Sequence, residues 1–105
     1  MGKNLYVDYW REYMPLVREV ISSGESSMIE LDIEELQRCS MNGNRQTLRF
    51  RVTVQDGFAS TNTNSAIARD LCGVVNSNKE IKNVSKGKTV ILSLGSNGYL
   101  NVSVS

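Results

Sequence analysis

The sequence predicts an α+β fold, a two-layer sandwich of order α-β-β-α-β-β in which two helices pack on one face of a four-stranded, mostly antiparallel sheet. Two kinds of pattern carry this prediction. Several short stretches alternate apolar and polar residues, as half-buried strands do, and two longer ones space apolar residues by three and four, as amphipathic helices do. With 105 residues and no linker-like segment, residues 1–105 are expected to form one domain.

The first helix is predicted near the N-terminus, where six apolar residues share one helical stripe: Tyr6, Trp10, Tyr13, Val17, Val20 and Ile21. Pro15 cannot donate a hydrogen bond to the carbonyl of Arg11, so we expect a kink or two shorter helices there. Gly24 is expected to end this helix. Aromatic residues at helical spacing favour a core role, and an aromatic binding box is the alternative.

The clearest strand is Leu48 to Val54, in which apolar and polar residues alternate without a break. A second strand, Met28 to Ile33, alternates in the same way. The dipeptide Asn42-Gly43 favours a tight hairpin turn, because both residues tolerate positive φ. We therefore predict that these two strands pair.

In this hairpin Ile33 would face Val52 and Leu31 would face Val54, so that both apolar sets lie on one side of the sheet. A competing interpretation makes residues Ile33 to Ser40 a helical turn, since this segment is rich in good helix formers.

Asp56 to Asn64 is predicted to be a polar loop, and Asn64 or Ser65 to cap a second helix. Ser77 to Glu80 matches a capping box for a short further turn, which Gly87 ends. Two final strands form a hairpin in which Val90, Leu92 and Leu94 match Leu100, Val102 and Val104.

One face of this sheet would stay uncovered by helices. Its members would be Glu30, Asp32, Glu34, Arg49, Arg51, Thr53, Gln55, Thr89, Ile91, Ser93, Tyr99, Asn101 and Ser103.

Catalytic chemistry is not indicated. The chain has no histidine, which removes the commonest general base and metal ligand, and Cys39 and Cys72 therefore lack a histidine partner. The carboxylates of Glu30, Asp32 and Glu34 could hold a cation, but with Glu34 opposite Arg51 they favour a charge-matched hairpin face. We expect no enzyme activity, no metal and no cofactor.

Charge is divided unevenly along the chain. Residues 1–35 contain three basic and eight acidic side chains, net −5, and residues 36–105 contain nine and three, net +6. This division favours neutralisation within the fold, and the alternative is an exposed basic surface for an anionic partner.

The favoured function is a protein-interaction module that binds another protein or a second copy of itself. The last strand, which ends at Ser105 without a charged blocker, would leave an unpaired sheet edge. The candidate partner-binding residues are Ile91, Tyr99, Asn101 and Ser103. Ile91 and Tyr99 on the open face are apolar enough to start a homodimer.

The alternative function is nucleic-acid binding. The candidate residues are Arg38, Arg45, Arg49, Arg51, Lys79, Lys82, Lys86 and Lys88. Arginines and Tyr99 on an open sheet face could follow a phosphate backbone and stack a base. Three acidic residues and a single aromatic on that face, with a net charge of only +1, weigh against it.

We expect a cytoplasmic protein. Its N-terminus lacks the pattern of an export signal, and no apolar run is long enough to span a bilayer. Cys39 and Cys72 are therefore interpreted as buried thiols in a reducing compartment.

Overall fold

The computed structural model describes residues 5–39, 49–95 and 97–105. These residues form an α+β fold with one antiparallel sheet. The helices are α1 (Leu5–Ser23), α2 (Ile33–Arg38), α3 (Ala66–Asn76) and α4 (Lys79–Ser85). The strands are β1 (Ser27–Glu30), β2 (Phe50–Gln55), β3 (Phe58–Ser60), β4 (Thr89–Leu94) and β5 (Tyr99–Val104).

The sheet has five strands in the order β1-β5-β4-β2-β3, and each neighbouring pair is antiparallel. The predicted four strands and the predicted order α-β-β-α-β-β are therefore wrong. Two features cause the difference: a helix replaces the end of the first predicted strand, and an additional strand follows the second.

The first predicted strand is interrupted at Asp32, which caps α2. The Asp32 carboxylate accepts a hydrogen bond from the Glu35 backbone N–H at 3.1 Å, as an N-cap residue does. The competing prediction of a helical turn from Ile33 is thus confirmed. The pairs Ile33 with Val52 and Leu31 with Val54 do not form, because β1 pairs with β5 and β2 pairs with β3 and β4. The predicted Asn42-Gly43 turn lies outside the described residues.

A tight turn at Asp56-Gly57 joins β2 to β3, where the sequence predicts a loop. Both residues have positive φ, 53° and 88°, as a two-residue type I′ hairpin turn requires. Gly57 also packs closely on α4, since a Cβ there would lie 3.3 Å from the Lys82 carbonyl oxygen. The Asp-Gly dipeptide between alternating segments was the signal for this hairpin.

The predicted hairpin of β4 and β5 is confirmed in its register: Val90 opposes Val104, Leu92 opposes Val102 and Leu94 opposes Leu100. Apolar side chains at these positions share one buried face, which fixes the pairing.

The predicted caps are confirmed for one helix only. Ser65 is the N-cap residue of α3, although its side chain makes no capping bond. The capping residue of α4 is Asn78 instead of Ser77, and it accepts a hydrogen bond from the Ile81 N–H at 3.0 Å.

Helix α1 runs through Pro15 as one α-helix and ends at Ser23, directly before Gly24, whose φ is 74°. Its buried stripe packs on α3, α4 and the sheet. Trp10 is fully buried, donates to the Ile67 carbonyl at 3.2 Å and meets the ring of Phe50 edge-on with centroids 5.8 Å apart. The aromatic residues of α1 therefore belong largely to the core.

The outer edge of β3 is occupied by a side chain of α3. Asn76 accepts a hydrogen bond from the Ala59 N–H at 2.8 Å and donates one to the Ala59 carbonyl at 3.0 Å, as a neighbouring strand would. Farther along β2, the Arg51 N–H and carbonyl bond to the hydroxyls of Thr63 and Thr61. The other sheet edge is β1, which is four residues long.

Asn76→Ala is expected to lower the free energy of unfolding by about 1–3 kcal/mol, because the half-buried N–H and carbonyl of Ala59 lose their partners. Urea denaturation measures this change. Asn83→Ala, which truncates an exposed asparagine of α4, is the control and should be near neutral. Equal stability of the two variants would show that Asn76 does not hold this edge.

Candidate functional site

The two faces of the sheet differ in what covers them. Val52, Leu92 and Val102 belong to the buried face, which helices α1 and α3 contact. The alternate side chains form the face that we call the open face. They are Met28, Glu30, Arg49, Arg51, Thr53, Gln55, Phe58, Ser60, Thr89, Ile91, Ser93, Tyr99, Asn101 and Ser103, and each is half-buried or exposed.

Strand register arranges the open face in rows that cross the strands, and each row is named here after one member. The Ile91 row contains Ser103, Ile91, Thr53 and Ser60. The Asn101 row contains Met28, Asn101, Ser93 and Arg51. Extending the register by one residue gives the Tyr99 row, with Glu30, Tyr99, Gly95 and Arg49. The four predicted partner-binding residues thus lie on two neighbouring strands of one face.

The last strand is not an edge, which corrects one of the two predicted modes of association. β5 lies between β1 and β4, and its N-terminal and central residues Tyr99 to Val102 pair with β1. The Val104 N–H also bonds to the Ser26 hydroxyl at 2.9 Å. Strand addition to β5 is therefore blocked by the chain itself.

The charge of the open face also differs from the prediction. Asp32 and Glu34 leave the face, because the first caps α2 and the second lies in its first turn. Glu34 consequently does not oppose Arg51, whose neighbour across β4 is Ser93. Glu30 is the one carboxylate among the open-face residues, against two exposed arginines.

Two exposed apolar side chains join the open face without having been predicted as site residues. Met28 on β1 is 58% exposed and Phe58 on β3 is 64% exposed. Phe58 was missed because the Asp56-Gly57 turn that places it in a strand was interpreted as part of a loop. Met28 could have been found from its alternation with Ile29, which is buried.

The predicted nucleic-acid residues do not form one surface. Arg38 pairs with Glu35 on α2 at 3.2 Å, and Lys88 donates to the Ile21 carbonyl at the end of α1 at 2.9 Å. Arg49 and Arg51 lie on the open face. In the helical layer, Lys79 and Lys82 on α4 and Lys86 directly after it are all exposed. Arg45 lies outside the described residues.

The two cysteines are buried and make no disulfide with each other. Burial raises the thiol pKa of both, and the carboxylates of Glu35 and Asp8 raise that of Cys39 further. Both thiols are therefore protonated at neutral pH and are weak nucleophiles. In residues 5–39, 49–95 and 97–105, no three His, Cys, Asp or Glu side chains gather in a group that could hold a metal ion.

Two tyrosine hydroxyls of α1 form hydrogen bonds with the backbone of Asp32. Tyr9 donates to the Asp32 carbonyl at 2.8 Å, and the Asp32 N–H donates to the Tyr13 hydroxyl at 2.9 Å. Both hydroxyls thus serve the junction of β1 and α2 instead of a ligand, which favours the core interpretation over an aromatic binding box. Burial is the main cause that raises the pKa of Tyr9 well above its usual range.

A groove of about 510 Å³ lies between α1 and the start of α4. It is cationic on one wall, but Arg18 pairs with Glu80 at 3.0 Å and Arg11 lies 3.8 Å from Asp8. Its arginines thus have carboxylate neighbours already.

Comparison with protein-family models, curated proteins and solved structures finds no match to this chain. In the part of the chain that the structure describes, no helix combines the length and apolar character needed to cross a membrane.

Alkaline pH should destabilise the protein through Tyr9. Folding favours its protonated form, so the stabilising effect is complete below the unfolded pKa near ~10 and is lost as the pH rises above it. Tyr9 should contribute a fall of about 1.4 kcal/mol per pH unit to the free energy of unfolding there, in addition to the contributions of the buried Cys39 and Cys72 thiols, and Tyr9→Phe should remove the Tyr9 contribution.

Urea denaturation between neutral pH and roughly pH 11 measures the slope. Tyr99→Phe leaves the Tyr9 hydroxyl in place and should keep the wild-type dependence. A Tyr9→Phe slope that matches wild type would contradict the assignment.

Proposed function

We propose that this protein is a non-enzymatic protein-interaction module that self-associates through the open face of its sheet. The observation that carries the proposal is the placement of four partly or largely exposed apolar side chains, Met28, Phe58, Ile91 and Tyr99, on that one face. Large apolar side chains that are exposed together on one face of a sheet commonly mark interaction sites.

A second sheet is a fitting cover for this surface. Sheets stack face to face about 10 Å apart, with side chains from the two inner faces interdigitating. Ile91 stands on β4, the middle strand of the five, between Ser103 and Thr53. Small neighbours leave room for an apolar side chain from the other copy to contact Ile91.

The remaining features support a binding role over a catalytic one. The two thiols are buried and protonated at neutral pH, and the hydroxyls of Tyr9 and Tyr13 on α1 bond to the backbone of Asp32. Two free cysteines are also compatible with a reducing compartment, so we assign the protein to the cytoplasm.

Ile91→Arg should abolish self-association, because it would place a charge at the centre of the buried surface without a partner. Sedimentation equilibrium of wild type and variant measures the effect, with circular dichroism confirming that both are folded. Asn83→Arg adds the same charge on exposed α4 and should leave the association constant unchanged. A dimer of unchanged mass in Ile91→Arg would reject the open face as the interface.

Nucleic-acid binding is the second candidate, and one observation favours it. Arg49 and Arg51 lie two residues apart on the same strand face, which holds Glu30 as its one carboxylate. Two adjacent guanidinium groups can contact successive phosphates of a single strand.

The double variant Arg49→Ala and Arg51→Ala should weaken oligonucleotide binding and lower the slope of log affinity against log salt by roughly 1.4–1.8. Lys82→Ala with Lys86→Ala removes the same charge from α4 and serves as the control. Absence of retardation of single- and double-stranded probes by wild type at low salt would eliminate this candidate.

A further inference from the structure

In the Tyr99 row, the sequence of side chains across the strands is complementary to the same sequence in the opposite direction. Across the sheet it runs from an acid through an aromatic and a glycine to a base: Glu30, Tyr99, Gly95 and Arg49. In the opposite direction, Arg49 takes the position of Glu30, and Gly95 takes the position of Tyr99. A second copy that meets this row in reverse would find opposite charges and a space for each ring.

We infer that two copies of the chain pack open face to open face about a two-fold axis parallel to the strands, between β4 and β5. This inference rests on the proposed function and adds the geometry of the dimer. The axis places β1 and β5 of one copy against β2 and β4 of the other. Each row then meets its own reverse.

In this arrangement Glu30 of one copy meets Arg49 of the second copy, and symmetry creates the same pair twice. A carboxylate and a guanidinium form charge-assisted hydrogen bonds, and sequestering them from water strengthens the attraction. Both side chains are exposed in the single chain, and neither has an ion pair in the described residues. Association therefore gives these two charges partners.

Tyr99 meets Gly95 of the second copy in the same row. Gly95 carries no side chain, and a Cβ built there would make only an ordinary van der Waals contact with Asn97, at 4.0 Å, so the space above it is not crowded. Its φ is not in the positive range, which means that conformation does not require glycine at this position. The missing side chain instead provides room for a ring.

In the neighbouring rows the axis brings mostly small polar residues together, while Met28 meets Arg51 of the second copy and Phe58 on β3 lies outside the four paired strands. Asn101 meets Ser93 of the second copy, an amide opposite a hydroxyl, and each can donate and accept. Ile91 meets Ser103, a small residue that lets the isoleucine approach. A two-fold axis perpendicular to the strands would instead place each strand against the same strand of the second copy. Arg49 would then face Gln55, and Glu30 would face no basic residue.

The size of the surface predicts a weak dimer. Four strands spaced about 4.8 Å apart and about six residues long cover roughly 20 by 20 Å in projection. This is about half of the ~800 Å² per partner of a standard interface, so a weak and reversible association is expected.

Charge reversal tests the axis. Glu30→Arg and Arg49→Glu should each weaken the homodimer about tenfold or more, because each places like charges at both symmetric pairs. An equimolar mixture of the two variants should form a heterodimer close to wild-type affinity, since both of its pairs are then opposite. Sedimentation equilibrium of each variant and of the mixture gives the three constants.

The control is the same pair of charge reversals at two positions outside the open face. Glu25 and Arg69 are exposed and carry the same charges as Glu30 and Arg49. The variants Glu25→Arg and Arg69→Glu should therefore dimerise like wild type, both alone and when mixed. Gly95→Leu adds a test without charge, because it fills the space for Tyr99 and should weaken the dimer. Gly73→Leu, where a Cβ meets nothing within 4 Å, is its control and should not.

The outcomes separate the geometry from the proposed function. Weak single variants that recover when mixed, together with a weak Gly95→Leu dimer, support the axis. A wild-type dimer that Ile91→Arg breaks but the charge reversals leave unchanged overturns the axis and keeps the open face as the interface. A wild type that stays monomeric at millimolar concentration overturns both.

Discussion

Two tyrosine hydroxyls on α1 decide where the chain goes after its first strand. Tyr9 and Tyr13 bond to both polar groups of the Asp32 peptide, and the Asp32 side chain at the same time caps α2. The strand must therefore end before Asp32, and the chain turns into a helix instead of a hairpin. β1 is then free to pair with β5 near the other end of the sequence.

This junction also determines the chemistry of the open face. If Met28 to Ile33 had continued as a strand beside β2, Asp32 and Glu34 would have balanced the arginines there. Capping moves both carboxylates into the helix terminus, where negative charge is favourable. The face that remains is dominated by small polar and apolar side chains, with charge confined to Glu30 and the two arginines.

Local pattern was sufficient for much of the fold. The hairpin of β4 and β5, its register and the helix after Ser65 follow from alternation, helical spacing and turn residues, since each involves neighbours in sequence. The pairing of β1 with β5 could not be found in this way, because it joins segments about seventy residues apart. The sequence also contains three favoured turn dipeptides, Asn42-Gly43, Asp56-Gly57 and Asn97-Gly98, and weighting the first over the second assigned β2 the wrong partner.

The candidate site was predicted in its centre and missed at its margins. Ile91 and Tyr99 lie on the predicted hairpin and keep their predicted face. Phe58 was missed because its local hairpin lies where a loop is predicted, and Met28 lies on β1, whose pairing with β5 is not local. The basic residues show a different limit. A sequence reveals their number, but only the fold shows that Lys88 bonds to the end of α1 and that the other basic residues in the described part of the chain lie on separate surfaces.

The Asn76 amide limits how large an assembly can grow by strand addition. In the described residues it closes the β3 side of the sheet, which leaves β1 as the one edge with room for another strand. A filament of continuous sheet needs two free edges on every subunit, one to accept and one to offer. A subunit with a single short edge can pair edge to edge with one partner only. Assembly by strand addition therefore stops at two subunits.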